Sequence, residues 1–195
     1  MEEPERELLA RYRAGDAGAL GELVALFRRP LFGFIYRMTE GGDDPDDIFQ
    51  EVWLRVIKHQ ARYTHKNFKS WLFRIAQNVV IDRARKRKPI VDLQSSAMRE
   101  EENVFETRVE DKGLTAPAQI DAKTLGERIV SAVRTLPDDQ RAVFLMRTEA
   151  DLPFKEIAKI QGTSINTALA RMQYALRKLR EALKSEYCEI QGTTS

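Results

Sequence analysis

Apolar residues recur at three- and four-residue steps along most of this chain, and no stretch shows the alternation a half-buried strand requires. Ala19 to Met38 sets the pattern, with Leu20, Leu23, Val24, Phe27, Leu31, Phe34, Ile35 and Met38 on one face. Pro30 inside that run is expected to kink or restart the helix. Before it, Leu8, Leu9 and Tyr12 predict a short helix that stops near Gly15. After it, GGDDP breaks the chain, and Asp43 and Asp44 are placed to cap a helix over Pro45 to His59. That helix would bury Phe49, Val52, Trp53 and Val56, and show Asp47, Gln50, Glu51 and Arg55 on its other side. The expected fold class is all-α.

A polar loop, QARYTHKN, leads into FKSWLFRIAQNVVIDRARKRK, Phe68 to Lys88. Phe68, Trp71, Leu72, Ile75, Ala76 and Val79 mark its buried face, and Pro89 ends it. Its last six positions hold Arg83, Arg85, Lys86, Arg87 and Lys88, a cluster that suits phosphate. Asp82 is expected to pair with Arg85 or Lys86. Residues 90 to about 120 carry many acids, among them Glu100, Glu101 and Glu102, with Gly113 and Pro117 and few aromatics. They predict a flexible acidic linker, with transient helix around Ser95 to Thr107. Helical spacing resumes with Leu125, Ile129, Val133 and Leu136, then Val143, Phe144 and Met146 after LPDD. Two small helical domains are therefore expected, over 1–90 and 122–187, with a linker over 91–121 and a tail over 188–195.

Net charge is only +2, so binding to polyanions must come from local basic clusters, Arg83 to Lys88 and a second of Arg171, Arg177, Lys178, Arg180 and Lys184, and not from the molecule as a whole. The single Cys188 excludes an internal disulfide and fits a reducing compartment. No apolar run approaches the roughly 18 residues of a membrane span. MEEPERELL lacks the basic-then-apolar pattern of a signal peptide, so a cytoplasmic location and no membrane insertion are expected. His59 and His65 lack metal-ligand spacing, and the Asp43, Asp44, Asp46, Asp47 cluster more simply charges a helix start. With no phosphate-cradling glycine loop and no nucleophile–base pair, neither catalytic residues nor a metal nor a cofactor is expected.

PFKEIAKIQGTSINTALARMQYALRKL reads as helix, tight turn, helix. Pro153 fits a first turn, Ala158 allows close crossing, Gly162 suits a left-handed turn, and Ser164 suits a cap. The second helix would place Ile165, Leu169, Met172, Leu176, Leu179 and Leu183 inward. Asn166, Thr167, Ala170, Arg171, Gln173, Tyr174, Arg177 and Lys178 would lie outward or at the margin. This is the helix-turn-helix pattern that enters a DNA major groove. An antiparallel helix pair uses the same turn chemistry, so the segment alone leaves both readings open.

The order of these segments resembles the sigma-70 superfamily in its small extracytoplasmic-function (group IV) form. DDPDDIFQEVWLRVIKH resembles region 2.2, FKSWLFRIAQNVVIDRARKRK regions 2.3 to 2.4, and the segment from LPDDQRAVFLMRTEADL through ALRKL region 4. The resemblance implies a transcription initiation factor that binds bacterial core RNA polymerase and directs it to promoters. Asp47, Gln50, Glu51, Leu54, Arg55 and Lys58 would meet the polymerase. Arg62, Tyr63, His65, Lys66 and Asn67, then Arg74, Asn78, Arg83, Arg85, Lys86, Arg87 and Lys88, would recognise and melt the minus-ten element. Ser164, Asn166, Thr167, Ala170, Arg171, Tyr174, Arg177 and Lys178 would bind the minus-thirty-five element. An anti-sigma factor is an implied further partner. Leu169 stands where the family has a basic residue, and Tyr174 where it often has arginine, which implies a weaker or differently specific minus-thirty-five contact. The competing reading is a helix-turn-helix regulator that binds DNA without polymerase.

Overall fold

The computed structural model describes residues 4–39, 43–60, 63, 67–87 and 122–184. Among them are eight α-helices and no strand: α1 (Pro4–Arg13), α2 (Ala17–Met38), α3 (Pro45–His59), α4 (Phe68–Arg87), α5 (Ala122–Arg134), α6 (Asp138–Thr148), α7 (Phe154–Gln161) and α8 (Ile165–Ala182). The expected linker, its transient helix and the tail from Cys188 lie outside the described residues.

Local chemistry explains the helix limits. Gly15, at φ +100°, turns the chain out of α1, and the Asp16 carboxylate accepts from the Gly18 and Ala19 amides to start α2. Pro30 does not restart α2, which runs unbroken from Ala17 to Met38. The seven apolar residues buried along α2 hold it on the core through the proline. Asp44 caps α3 by accepting from the Asp46 amide, whereas Asp43 turns instead toward Arg83. Asn67 caps α4 through its Oδ1, which accepts from the Ser70 amide.

In the second half, Pro153 precedes α7 rather than opening it. Gly162 ends that helix at φ 65°, and the Thr163 amide then donates to the Ala158 carbonyl. The Ser164 hydroxyl caps α8 by accepting from the Thr167 amide. Helices α1 to α4 form one bundle and α5 to α8 another. The two bundles pack together through α2 against α5 and α6, and α4 against α7. At this junction Arg37 pairs with Glu149 at 2.7 Å, and the Arg134 guanidinium lies 5.3 Å from the Tyr36 ring centre. Gly33 leaves room for the pair, since a Cβ there would come within 3.0 Å of both the Arg37 and Glu149 side chains.

Helix α4 is buried more widely than its sequence periodicity predicts. Besides Phe68, Leu72, Ala76 and Val79, the structure covers Ser70, Phe73, Gln77 and Val80. Phe27 and Phe34 of α2 pack on Phe68 and Phe73, with ring centres 5.6 and 5.4 Å apart.

Two outcomes test this packing. Gly162→Ala should lower unfolding stability by about 1 kcal/mol in chemical denaturation, the order of the cost of a left-handed conformation for a residue with a Cβ. Glu149→Arg, which sets two cations face to face, should raise the radius of gyration in small-angle scattering while leaving helical content unchanged.

Candidate protein-binding and nucleic-acid interfaces

Helix α3 presents Asp47, Gln50, Leu54 and Lys58 on an exposed face. Leu54 is 65% exposed and Ile57 beside it is also exposed, an apolar centre on an otherwise charged surface. Glu51 and Arg55 differ from these neighbours, being half-buried and engaged with α4. One Glu51 oxygen accepts from Arg55 Nη2 at 2.7 Å; the other accepts from Arg83 Nη2 at 2.7 Å and Nε at 2.9 Å. Arg83 also faces Asp43 at 3.7 Å, and Arg55 faces Asp82 at 3.6 Å. Asp82 therefore reaches across to α3 rather than pairing with Arg85 or Lys86 along its own helix. Burial pushes the Glu51 carboxyl up, but the hydrogen bonds and charges of Arg83 and Arg55 outweigh it and hold the group below the usual carboxylate range. The hydrogen bond from Arg83 to Glu51 correspondingly raises the guanidinium above its ordinary value.

The sequence-predicted minus-ten residues fall into three groups. Arg74, Asn78, Arg85 and Lys86 are exposed along α4. Asn67 and Arg74 line a cleft of about 350 Å³ with Ser70 and Trp71, and Glu156, Lys159 and Ile160 of α7 close its other side. Arg83 is spent on Glu51. Tyr63 is buried rather than displayed, its ring 4.7 Å from Trp71 and 5.8 Å from Phe68. Arg13 fixes this loop by donating to the carbonyls of Gln60 and Tyr63, both at 2.7 Å. A bond from α1 to a loop 50 residues later carries no local sequence signal. Arg62, His65, Lys66 and Lys88 lie outside the described residues, and of Arg87 only the backbone, at the end of α4, is described.

On α8 the structure corrects the inward face. Ala168, Ala175 and Leu179 are buried, while Ile165, Leu169 and Leu176 are 45%, 39% and 44% exposed. The reason is close crossing: alanines let α8 approach α6 and α7, and the larger side chains rotate outward. Ile129 on α5 is likewise exposed, contrary to its place in the predicted seam. Asn166, Thr167, Tyr174, Arg177 and Lys178 are exposed as expected, Ala170 is half-buried, and Arg177 lies 5.0 Å over the Tyr174 ring. Ser164 is the cap, its hydroxyl 2.9 Å from that of Thr167. Arg171 is half-buried and bonded within the domain, donating to Gln161 Oε1 at 2.9 Å and pairing with Asp139 at 2.7 Å.

Among the described residues, no group of His, Cys, Asp or Glu is placed to hold a metal ion, and no helix is long and apolar enough to cross a membrane. The exposed cations of α4 and α8 can neutralise phosphates, and the polar residues among them can meet base edges.

Two segments of the chain match known families: residues 23–90 match Sigma-70 region 2, and residues 126–179 match Sigma-70, region 4. RNA polymerase sigma factor CarQ of Myxococcus xanthus is 30% identical over 186 residues, spanning 93% of this chain and 99% of that protein. ECF RNA polymerase sigma factor SigW of Bacillus subtilis is 25% identical over 185 residues, spanning 94% and 99%. Among solved structures, CnrH in complex with the cytosolic domain of CnrY superposes with a TM-score of 0.67 at 22% identity, over 94% of this chain and 99% of that one. The sigma factor RpoE bound to the anti-sigma factor NepR from Bartonella quintana gives 0.63 at 24% identity, over 84% and 96%.

The depressed Glu51 carboxyl gives a signed expectation. Its contribution to stability is present above the ordinary carboxylate range and is lost as pH falls through the lowered value. Glu51→Gln should therefore be less stable than wild type near neutral pH, and the two thermal-unfolding curves should converge in acid below that range. A difference independent of pH would contradict the ion-pair assignment.

Proposed function

The chain belongs to the extracytoplasmic-function branch of the sigma-70 family of transcription initiation factors, and we propose that it docks core RNA polymerase through the outer face of α3. It then reads promoter DNA with α4 and α8. The observation that carries this reading is Leu54, a large apolar side chain held out in the middle of a charged helix face. With Ile57 beside it, it makes an apolar anchor ringed by polar groups, the usual anatomy of a protein interface. Asp47, Gln50, Ile57 and Lys58 form the rim of that anchor.

On α4 and its cap, Asn67, Arg74 and Asn78 supply polar contacts for the minus-ten element, and Arg85 and Lys86 neutralise its phosphates. On α8, Asn166 and Thr167 at the exposed N-terminal turn, with Tyr174, Arg177 and Lys178 further along, meet the minus-thirty-five element. Few of these are cations, so minus-thirty-five binding draws less on phosphate neutralisation and more on local polar and aromatic contacts. The proposed functional units are 1–90 and 122–187, each containing one helical bundle. The chain acts by binding, with no reaction of its own, in the cytoplasm where polymerase works. An anti-sigma partner is proposed on the analogy of the RpoE relative, which is seen bound to NepR. A helix-turn-helix regulator acting without polymerase is not favoured, because the matches to both sigma regions occur in order along one chain.

Leu54→Glu tests the reading. Capture of purified bacterial core polymerase by this variant should fall about tenfold or more, the scale of a lost interface anchor, with the fold intact by circular dichroism. Capture at the wild-type level would overturn the docking face.

A further inference from the structure

We propose that Glu51 and Arg83 are positioning residues, a strut that fixes the polymerase-facing helix α3 against the DNA-facing helix α4, and that neither touches polymerase or DNA directly. The inference rests on the assignment of α3 and α4 made above and divides the labour within it.

The geometry leaves these two groups little to offer a partner. Both oxygens of Glu51 are occupied, one by Arg55 and one by two nitrogens of Arg83, at 2.7 to 2.9 Å. The third guanidinium nitrogen of Arg83 is directed at Asp43, 3.7 Å away at the start of α3. Arg55 closes the chain of charges on the other side by reaching Asp82, 3.6 Å away on α4. Three carboxylates and two guanidinium groups thus alternate across the line where the helices meet. The planar fork of Arg83 fixes direction as well as distance, because two parallel N–H groups address one carboxylate oxygen from a single side.

Position gives the strut its function. Leu54 lies three residues beyond Glu51, one helical turn along α3. Arg85 and Lys86 follow Arg83 directly on α4. The pair therefore sits between the apolar docking anchor and the basic end, and the angle it sets decides where the basic end lies once polymerase holds α3. Partly exposed ion pairs contribute little to global stability, so the strut is built for geometry more than for holding the bundle together.

A double-mutant cycle tests this on the full chain assembled with core polymerase. Glu51→Gln, Arg83→Gln and the double variant are compared for polymerase affinity and for the rate of open-complex formation at saturating sigma, on a promoter mapped with the wild type. The strut predicts that each single variant slows open-complex formation by about fivefold and that the double is no slower than either single, since all three break one interaction. Arg83→Lys, which keeps the charge and loses the fork, should remain slow. Thermal midpoints should move too little to explain the loss, and cooling should not restore the rate as it would for a merely destabilised fold. Two results would overturn the strut. One is additive losses in the double variant; the other is a split in which Glu51→Gln weakens only polymerase affinity and Arg83→Gln only DNA engagement. Leu54→Glu run alongside separates this from the underlying assignment: wild-type capture by that variant would remove the docking face whatever the cycle shows.

Discussion

Burial of α4 along two of its sides constrains the elements around it. Phe68, Leu72, Ala76 and Val79 serve one strip; Ser70, Phe73, Gln77 and Val80 serve the other, and α2, α3 and α7 are the neighbours. A fully buried Phe, Leu or Val side chain contributes about 1.5–3 kcal/mol, so the apolar members together match the whole net stability of a typical domain. The core therefore fixes α4 up to Val80 and sets the line along which its end leaves the bundle. That resolves the oddity of a helix that begins apolar and ends basic: the basic cluster from Arg83 onward starts where the core stops.

The same economy separates two kinds of arginine. In each bundle one arginine, on α4 or on α8, is held by a carboxylate from an adjoining helix, Arg83 by Glu51 and Arg171 by Asp139, with Gln161 as a further partner of Arg171. Arg74, Arg85 and Arg177 remain exposed. Paired guanidinium groups tie one helix to the next, and exposed cations can meet phosphate. Sequence position alone does not distinguish the two, because the partner carboxylate lies 32 residues away in each case.

Much of the architecture was legible in the chain because its signals are local. Gly15, Asp44, Gly162 and Ser164 act within a few residues of themselves, and each sits where a helix starts or stops. The exposure of Asp47 and Gln50 on α3 and most of the outward face of α8 followed from helical period, whereas Glu51 and Arg55, expected outward with them, are half-buried against α4. What was not legible depends on groups distant in sequence. Periodicity placed Ile165, Leu169 and Leu176 inward because they are large and apolar, but the close crossing selected Ala168 and Ala175. Tyr63 read as an exposed loop aromatic, yet Arg13 anchors its backbone and Trp71 and Phe68 cover its ring. The pairing of Arg37 with Glu149 between the bundles is invisible to any window of sequence.

This chain works by lending promoter specificity to a polymerase that has none without it. The most direct measurement maps the 5′ ends of transcripts made in vitro from bacterial genomic DNA by purified core polymerase, with and without the chain. A small set of discrete start sites is expected, each preceded at constant spacing by a shared pair of sequence elements, that appear only when both proteins are present. An unchanged transcript pattern, together with tight sequence-specific binding of duplex DNA by the chain alone, would contradict it.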